Sequence, residues 1–140
     1  ILNEFYWASI GKGAWCNNKR LRVSNRKELS SCLVGTGIPF GKRIYNNFYN
    51  ELKNMSEYSA GVRRLGAASL DLAYVASGKI DGFWEKDLNL WDISSGVLLV
   101  KEAGGHITNH KGHNWDIKSK DILASNKLIH NKLIKNLTLL

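Results

Sequence analysis

At 140 residues the chain has the length of one ordinary domain, with enough apolar residues (44%) to bury a core and too little length for two. A charged fraction of 23% and a single proline exclude collagen-like, low-complexity and disordered classes; no apolar run approaches the roughly 18 to 20 residues of a membrane span, and no basic-then-apolar leader is present, so a soluble, cytoplasmic protein is expected. The net charge of +8 raises a nucleic-acid reading, but the 14 lysines, 6 arginines and 14 asparagines are scattered instead of forming a block or an aromatic-interleaved stripe, so nucleic acid is not expected as a partner.

The chain opens Ile1-Leu2-Asn3-Glu4 without methionine and runs at once into strand-like sequence, which reads as the tail of something longer. Phe5 to Ser9 alternates, Gly11-Lys12-Gly13 turns into Ala14-Trp15-Cys16, and Asn17-Asn18 turns again before Arg20 to Val23, a short antiparallel meander. Cys32 to Gly35 is a short apolar run of the buried-strand type, ended by Thr36-Gly37-Ile38-Pro39. Gly35-x-Gly37 is no dinucleotide fingerprint, because the third glycine is missing and a proline interrupts. From Gly41, Ile44, Phe48, Leu52 and Met55 recur at helical spacing opposite Lys42, Asn46, Asn50 and Lys53, an amphipathic helix covering a sheet. Val62 to Leu65 reads as a strand, Gly66 to Ser77 as a helix closed by Gly78, and Gly82 to Glu85 as a strand with an acid at its end.

Trp91 to Gly105 reads as a helix with both ends marked, Asp92 as N-cap and Gly104 as the left-handed residue that closes the last turn. Ile93 and Gly96 to Val100 leave it almost no polar face, so it is expected to be buried nearly all round. His106 to Thr108 and Ile122 to Ser125 follow as strands, separated by the polar stretch Asn109 to Ser119. Asn126 caps a final helix with Ile129, Leu133 and Ile134 inward and Lys127, His130 and Lys135 on the wet side. Strands alternating with helices in this order define an α/β fold.

The residues that can act together are Glu85 and Asp92, one ending a strand and one opening a helix, with the small residues Gly66, Ala67 and Ala68 at another helix start. Asp92 either caps its helix or holds a cation beside an anionic ligand. Two such oxygens suit Mg²⁺, which accepts one or two carboxylates and fills its other positions with phosphate and water. A two-metal phosphatase site needs more acids than this chain offers. His106, His110 and His113 lack the companions of a zinc site and read as a solvated turn. Asp71 reads as mid-helix surface and Asp81 as turn, while Arg63 and Arg64 either contact an anion near Gly66 or form a strand-edge salt bridge. Cys16 and Cys32 have no metal or redox spacing and read as free thiols.

Trp91-Asp92-Ile93-x-x-Gly96 through Glu102-Ala103-Gly104-Gly105 resembles the C-terminal signature of the inositol monophosphatase family. The likeness extends back through Gly66-Ala67-Ala68 and Gly78-Lys79-Ile80-Asp81-Gly82-Phe83-Trp84-Glu85 to Asn3-Glu4 and Ala8-x-x-Gly11-x-Gly13-Ala14. The resemblance implies the C-terminal half of a layered αβαβα sugar-phosphatase fold, a mixed sheet flanked by helices, with 1–140 as one domain. It implies a Mg²⁺-dependent hydrolysis of inositol monophosphate by the full-length protein. Asp92 would bind the second Mg²⁺ and touch substrate, Glu85 would hydrogen-bond inositol hydroxyls, and Gly66, Ala67 and Ala68 would line the pocket. The family's Asp-Pro-Ile-Asp-Gly-Thr segment is not found here, so the isolated chain is expected to be inactive. Asn89 falls in the family's variable loop and bears on substrate preference. Related substrates are histidinol phosphate, fructose bisphosphate and 3′-phosphoadenosine nucleotides; Phe83-Trp84-Glu85 and Leu90-Trp91-Asp92 favour inositol. A reading of another class is a non-catalytic binding module using the basic surface. The family also makes a homodimer possible.

Overall fold

A computed structural model describes residues 2–39 and 47–138. Three short strands, β1 (Tyr6–Ser9), β2 (Gly13–Cys16) and β3 (Lys19–Arg20), form an antiparallel meander in the order β1-β2-β3. Tight turns at Gly11 (φ +73°) and Asn17 (φ +51°) produce it, both in the left-handed region that glycine and asparagine tolerate. The third strand is shorter than the sequence predicts, because pairing with β2 ends at Arg20.

The second sheet contains β4 (Leu33–Thr36), β5 (Gly61–Arg63), β6 (Gly82–Glu85), β7 (His106–Thr108) and β8 (Ile122–Ser125). Their order is β5-β4-β6-β8-β7, with β4 parallel to both β5 and β6 and the other two pairings antiparallel. Four helices flank it: α1 (Phe48–Tyr58), α2 (Ala68–Ala76), α3 (Leu90–Glu102) and α4 (His130–Thr138). The start of the first predicted helix, with Lys42, Ile44 and Asn46, lies outside the described residues.

One core lies between the small sheet, the α2–α3 pair and one face of the large sheet, and includes Leu72, Val75, Phe83, Ile93, Val100 and Ile107. The other lies between the opposite face and α1 with α4, and includes Val34, Met55, Trp84, Leu123, Ile129 and Leu133. The layers therefore run sheet, helices, sheet, helices, the α/β class that the element order predicts, with the mixed sheet that the family resemblance implies. Among the described residues no helix is long and apolar enough to cross a membrane.

Two turns in the sequence are explained by single carboxylates reaching across the fold. Glu102 accepts the Gly11 and Gly13 amides at 2.9 Å each, pinning the meander to the end of α3. Asp81 is buried, accepts the Leu33 amide at 2.8 Å and pairs with Arg26 at 3.2 Å, so it locks β4 beside β6 instead of serving a solvated turn. Gly96 lets α2 and α3 approach, since a Cβ there would come within 2.5 Å of Leu72. Both cysteines are free thiols.

Two expectations about α3 are corrected. The N-cap is Asn89, and Asp92 is the third helical residue, its Oδ2 accepting the Asn89 amide at 3.1 Å. The helix is also not buried all round: Trp91 is 78% exposed, Ser94, Ser95 and Lys101 are exposed too, and burial is confined to Ile93, Gly96, Val97, Leu99 and Val100. Its other end closes as predicted, with Gly104 at φ +85° and the Gly105 amide donating to the Val100 carbonyl at 2.9 Å.

The histidines are corrected too. His130 is buried, with Nε2 at 2.9 Å from Thr108 Oγ1 and Nδ1 at 2.7 Å from Ser125 Oγ, and burial with the neighbouring His106 pushes its pKa down to about 4. The α4 amphipathic pattern missed it because both partners come from β7 and β8. His110 is buried against Glu51 while His106 and His113 are exposed, so the three do not converge. Asn126 accepts the Leu128 and Ile129 amides, capping a turn that leads into α4 at His130.

Candidate active site at the ends of three parallel strands

The crossover from β4 through α1 and the crossover from β5 through α2 leave the sheet on opposite faces. The carboxyl ends of parallel strands with diverging connections leave a crevice, the usual place for a ligand in an open α/β sheet. A cleft of about 500 Å³ opens there. It is lined by Gly37, Ile38 and Pro39 after β4, by Arg64, Gly66, Ala67, Ala68 and Ser69 after β5, and by Glu85 to Leu88 after β6, with Asp71 and Asp92.

All five expected site residues therefore meet. Gly66 takes φ +91°, which turns the chain from β5 into α2, and Ala67 is the N-cap of that helix with no side-chain cap. With the Leu70 amide donating to the Ala67 carbonyl at 2.9 Å, the Ala68 and Ser69 amides mark the uncapped start of α2, a geometry suited to an anion. Glu85 enters from the end of β6 and Asp92 from the first turn of α3.

Three further residues form or border the cleft. Asp71 is not surface: it is 1% exposed and contributes a carboxylate to the cleft. Gly37, in the Gly-x-Gly that is no dinucleotide fingerprint, forms the cleft floor, and Gly35 lies behind it against Asp71. A Cβ at Gly35 would come within 2.7 Å of Asp71 Oδ1, and one at Gly37 would run into the Glu85 carboxylate. The available signal was a pair of small residues at and just beyond the end of a strand, against two acids distant in sequence. Arg64 lines the cleft and Arg63 turns back to the Val62 carbonyl, which favours the anion-contact reading for Arg64 alone.

Burial, followed by the neighbouring Asp71 and Asp92, raises the Glu85 pKa to about 7. Burial likewise raises Asp71 to about 7, with Ala67 and Arg64 opposing. Carboxyls poised near neutrality in a cleft mark functional sites, because each can accept or donate a hydrogen bond there. Oxygen donors of this kind fit a hard cation. Among the described residues no group of three or more His, Cys, Asp or Glu is arranged to hold a metal.

The Gly37 contact is testable in isolation. Gly37→Ala is expected to keep the fold within about 1 kcal/mol, because the clash is with the end of a flexible side chain. Glu85 is expected to swing toward water, and its pKa to fall from about 7 toward 4.5 in an NMR carboxyl titration. An unchanged Glu85 titration would show that the carboxylate does not rest on Gly37.

The layered α/β core thus brings acids and a helix start together at the ends of three parallel strands. The family model described as inositol monophosphatase matches residues 1–139. The chain belongs to the inositol monophosphatase family. It is 46% identical over 140 residues to the inositol-1-monophosphatase of Caulobacter vibrioides, covering 98% of this chain and 55% of that protein. It is also 46% identical over 129 residues to the Nus factor SuhB of Pseudomonas aeruginosa, covering 90% and 48%. Among solved structures, the extragenic suppressor protein suhB from Bartonella henselae superposes with a TM-score of 0.92 at 43% identity, covering 96% of this chain and 53% of that one. The inositol monophosphatase from Anabaena superposes with a TM-score of 0.90 at 39% identity, covering 96% and 54%. The chain spans about half the length of the curated relatives it matches. A relative from Neisseria meningitidis is likewise named a putative Nus factor SuhB.

Proposed function

We propose that residues 1–140 form the substrate side, as a single domain, of a Mg²⁺-dependent phosphatase that hydrolyses inositol monophosphate to inositol and phosphate. The observation that carries this reading is the convergence of Glu85, Asp92 and the uncapped start of α2 on one cleft. Asp92 would be the Mg²⁺ ligand, since the Asn89 amide occupies only one of its oxygens. When bound, the cation neutralises charge on the phosphate and on the leaving alkoxide. Glu85, protonated for about half the time near pH 7, can exchange hydrogen bonds with ring hydroxyls. Gly66, Ala67 and Ala68 bring backbone close to the substrate without side-chain bulk.

Because the Asp-Pro-Ile-Asp-Gly-Thr segment does not occur in the 140 residues, one metal ligand alone does not make a catalyst. Phosphate release from inositol 1-phosphate is therefore expected to be absent for the chain alone. Mixed with the remaining half of the Caulobacter vibrioides relative, it is expected to release phosphate only with Mg²⁺, and Asp92→Asn is expected to abolish that release. Release by the chain alone overturns its inactivity. Faster hydrolysis of histidinol phosphate, fructose bisphosphate or 3′-phosphoadenosine nucleotides overturns the choice of inositol.

A second reading, a binding role for the basic surface, is favoured by one observation. Trp7 and Trp15 stack at 5.8 Å on the small sheet, with Arg20 at 5.7 Å from the Trp15 ring. Binding to single-stranded RNA that weakens steeply with salt would support it, and salt-independent or absent binding would remove it.

A further inference from the structure

We propose that Asp71 is a second hydroxyl-reading carboxylate of the cleft, which together with Glu85 selects a ring polyol over a simple alcohol as the alcohol part of the phosphoester; this rests on the phosphatase reading above.

Asp71 sits in the first turn of α2, followed by Leu72 and Ala73, which enter the core, while its own side chain lines the cleft. It is 1% exposed, and its Oδ1 has no hydrogen-bond partner. A buried acceptor without a donor is costly, and an apolar residue here would complete an otherwise apolar stretch of helix. The fold does not need this carboxylate; a donor arriving in the cleft does. The Ala67 amide favours its ionised form from the start of the helix, and Arg64 from the preceding loop, which leaves Oδ1 for something else. Because the terminal torsion of aspartate is broad, a part turn presents that oxygen to the cleft.

The floor supplies the geometry. Gly35 lies under Asp71 Oδ1 and Gly37 lies under Glu85. Both carboxylates line the same cleft, so one six-membered ring bearing several hydroxyls can meet the two together. A ring polyol can donate one hydroxyl to each; a short alcohol reaches only one. Ionised or neutral, each group then completes its hydrogen bonds only when the ring is present.

The test measures binding of inositol 1-phosphate, glycerol 2-phosphate and inorganic phosphate to the 140-residue chain by NMR titration, with Asp71→Asn and Asp71→Leu beside it. Asn keeps an acceptor for Ala67 and removes the charge; Leu removes both. The unliganded amide spectra report whether each variant retains the fold. Wild type is expected to bind inositol 1-phosphate about tenfold tighter than glycerol 2-phosphate, as charged hydrogen bonds imply. Both variants are expected to lose that ratio while inorganic phosphate binds within about twofold of wild type. A ratio that survives both substitutions overturns the proposal. Equal binding of the two esters by wild type overturns it and leaves the phosphatase reading standing. No binding of any of the three removes both.

Discussion

Asp71→Asn is expected to stabilise the protein at pH 8 and to leave its stability nearly unchanged at pH 4. Burial holds the Asp71 carboxyl at about 7 in the folded chain, against an ordinary 3.8. A carboxyl raised in this way contributes its stability below pH 3.8 and loses it as the pH rises to about 7, because the unfolded chain ionises first. At about 1.4 kcal/mol for each pKa unit, the cost at pH 8 is on the order of 4 kcal/mol, an upper bound because the pocket relaxes around the charge. Asn cannot ionise, so the gap between variant and wild type should open between pH 4 and 7 and stay flat above. Denaturant melts of both proteins across that range check it. A variant that is less stable than wild type at pH 8 would make Asp71 a structural cap of α2.

Trp84→Ala is expected to cost about 3–5 kcal/mol, the loss of a fully buried large aromatic together with the cavity it leaves. Trp84 is 0% exposed and packs with Val34, Met55, Leu123, Ile129 and Leu133, so it joins the sheet to both α1 and α4. Against a total stability of about 5–15 kcal/mol, such a loss removes a large fraction of the fold. Its Nε1 has no hydrogen-bond partner, so Trp84→Phe gives up volume without losing a bond and is expected to cost less than half as much. Chemical denaturation of the two variants measures the difference. A cost under about 1 kcal/mol for alanine would mean that the outer layer closes over the gap. The effect reaches the cleft, because Trp84 immediately precedes Glu85 on β6.

The elements were legible where one neighbour decides the pattern. Short apolar runs bounded by glycine, proline or polar residues became β4, β6, β7 and β8 at nearly their predicted positions. The Gly104 close of α3 was readable because a left-handed residue after an apolar run has few other uses. The start of α3 was misread at Asp92, although Asn89 three residues earlier forms the capping-box pattern with it. Asp71 and His130 were misplaced for a common reason. Helical spacing gives one wet face to each helix, whereas α2 is packed between the large sheet and α3, and His130 meets Thr108 and Ser125 from other strands.

Composition, periodicity and turn residues by themselves determined an α/β domain and the order of its elements, since each depends on residues close in the chain. The residue pattern also put Gly66, Ala67, Ala68, Glu85 and Asp92 together, and the family signature added a role for each. Only the tertiary structure decided that Asp71 joins them and that Gly35 and Gly37 make room. The physical reason is that a cleft at the ends of three parallel strands is assembled from loops whose separation in sequence carries no record of which side chains face one another.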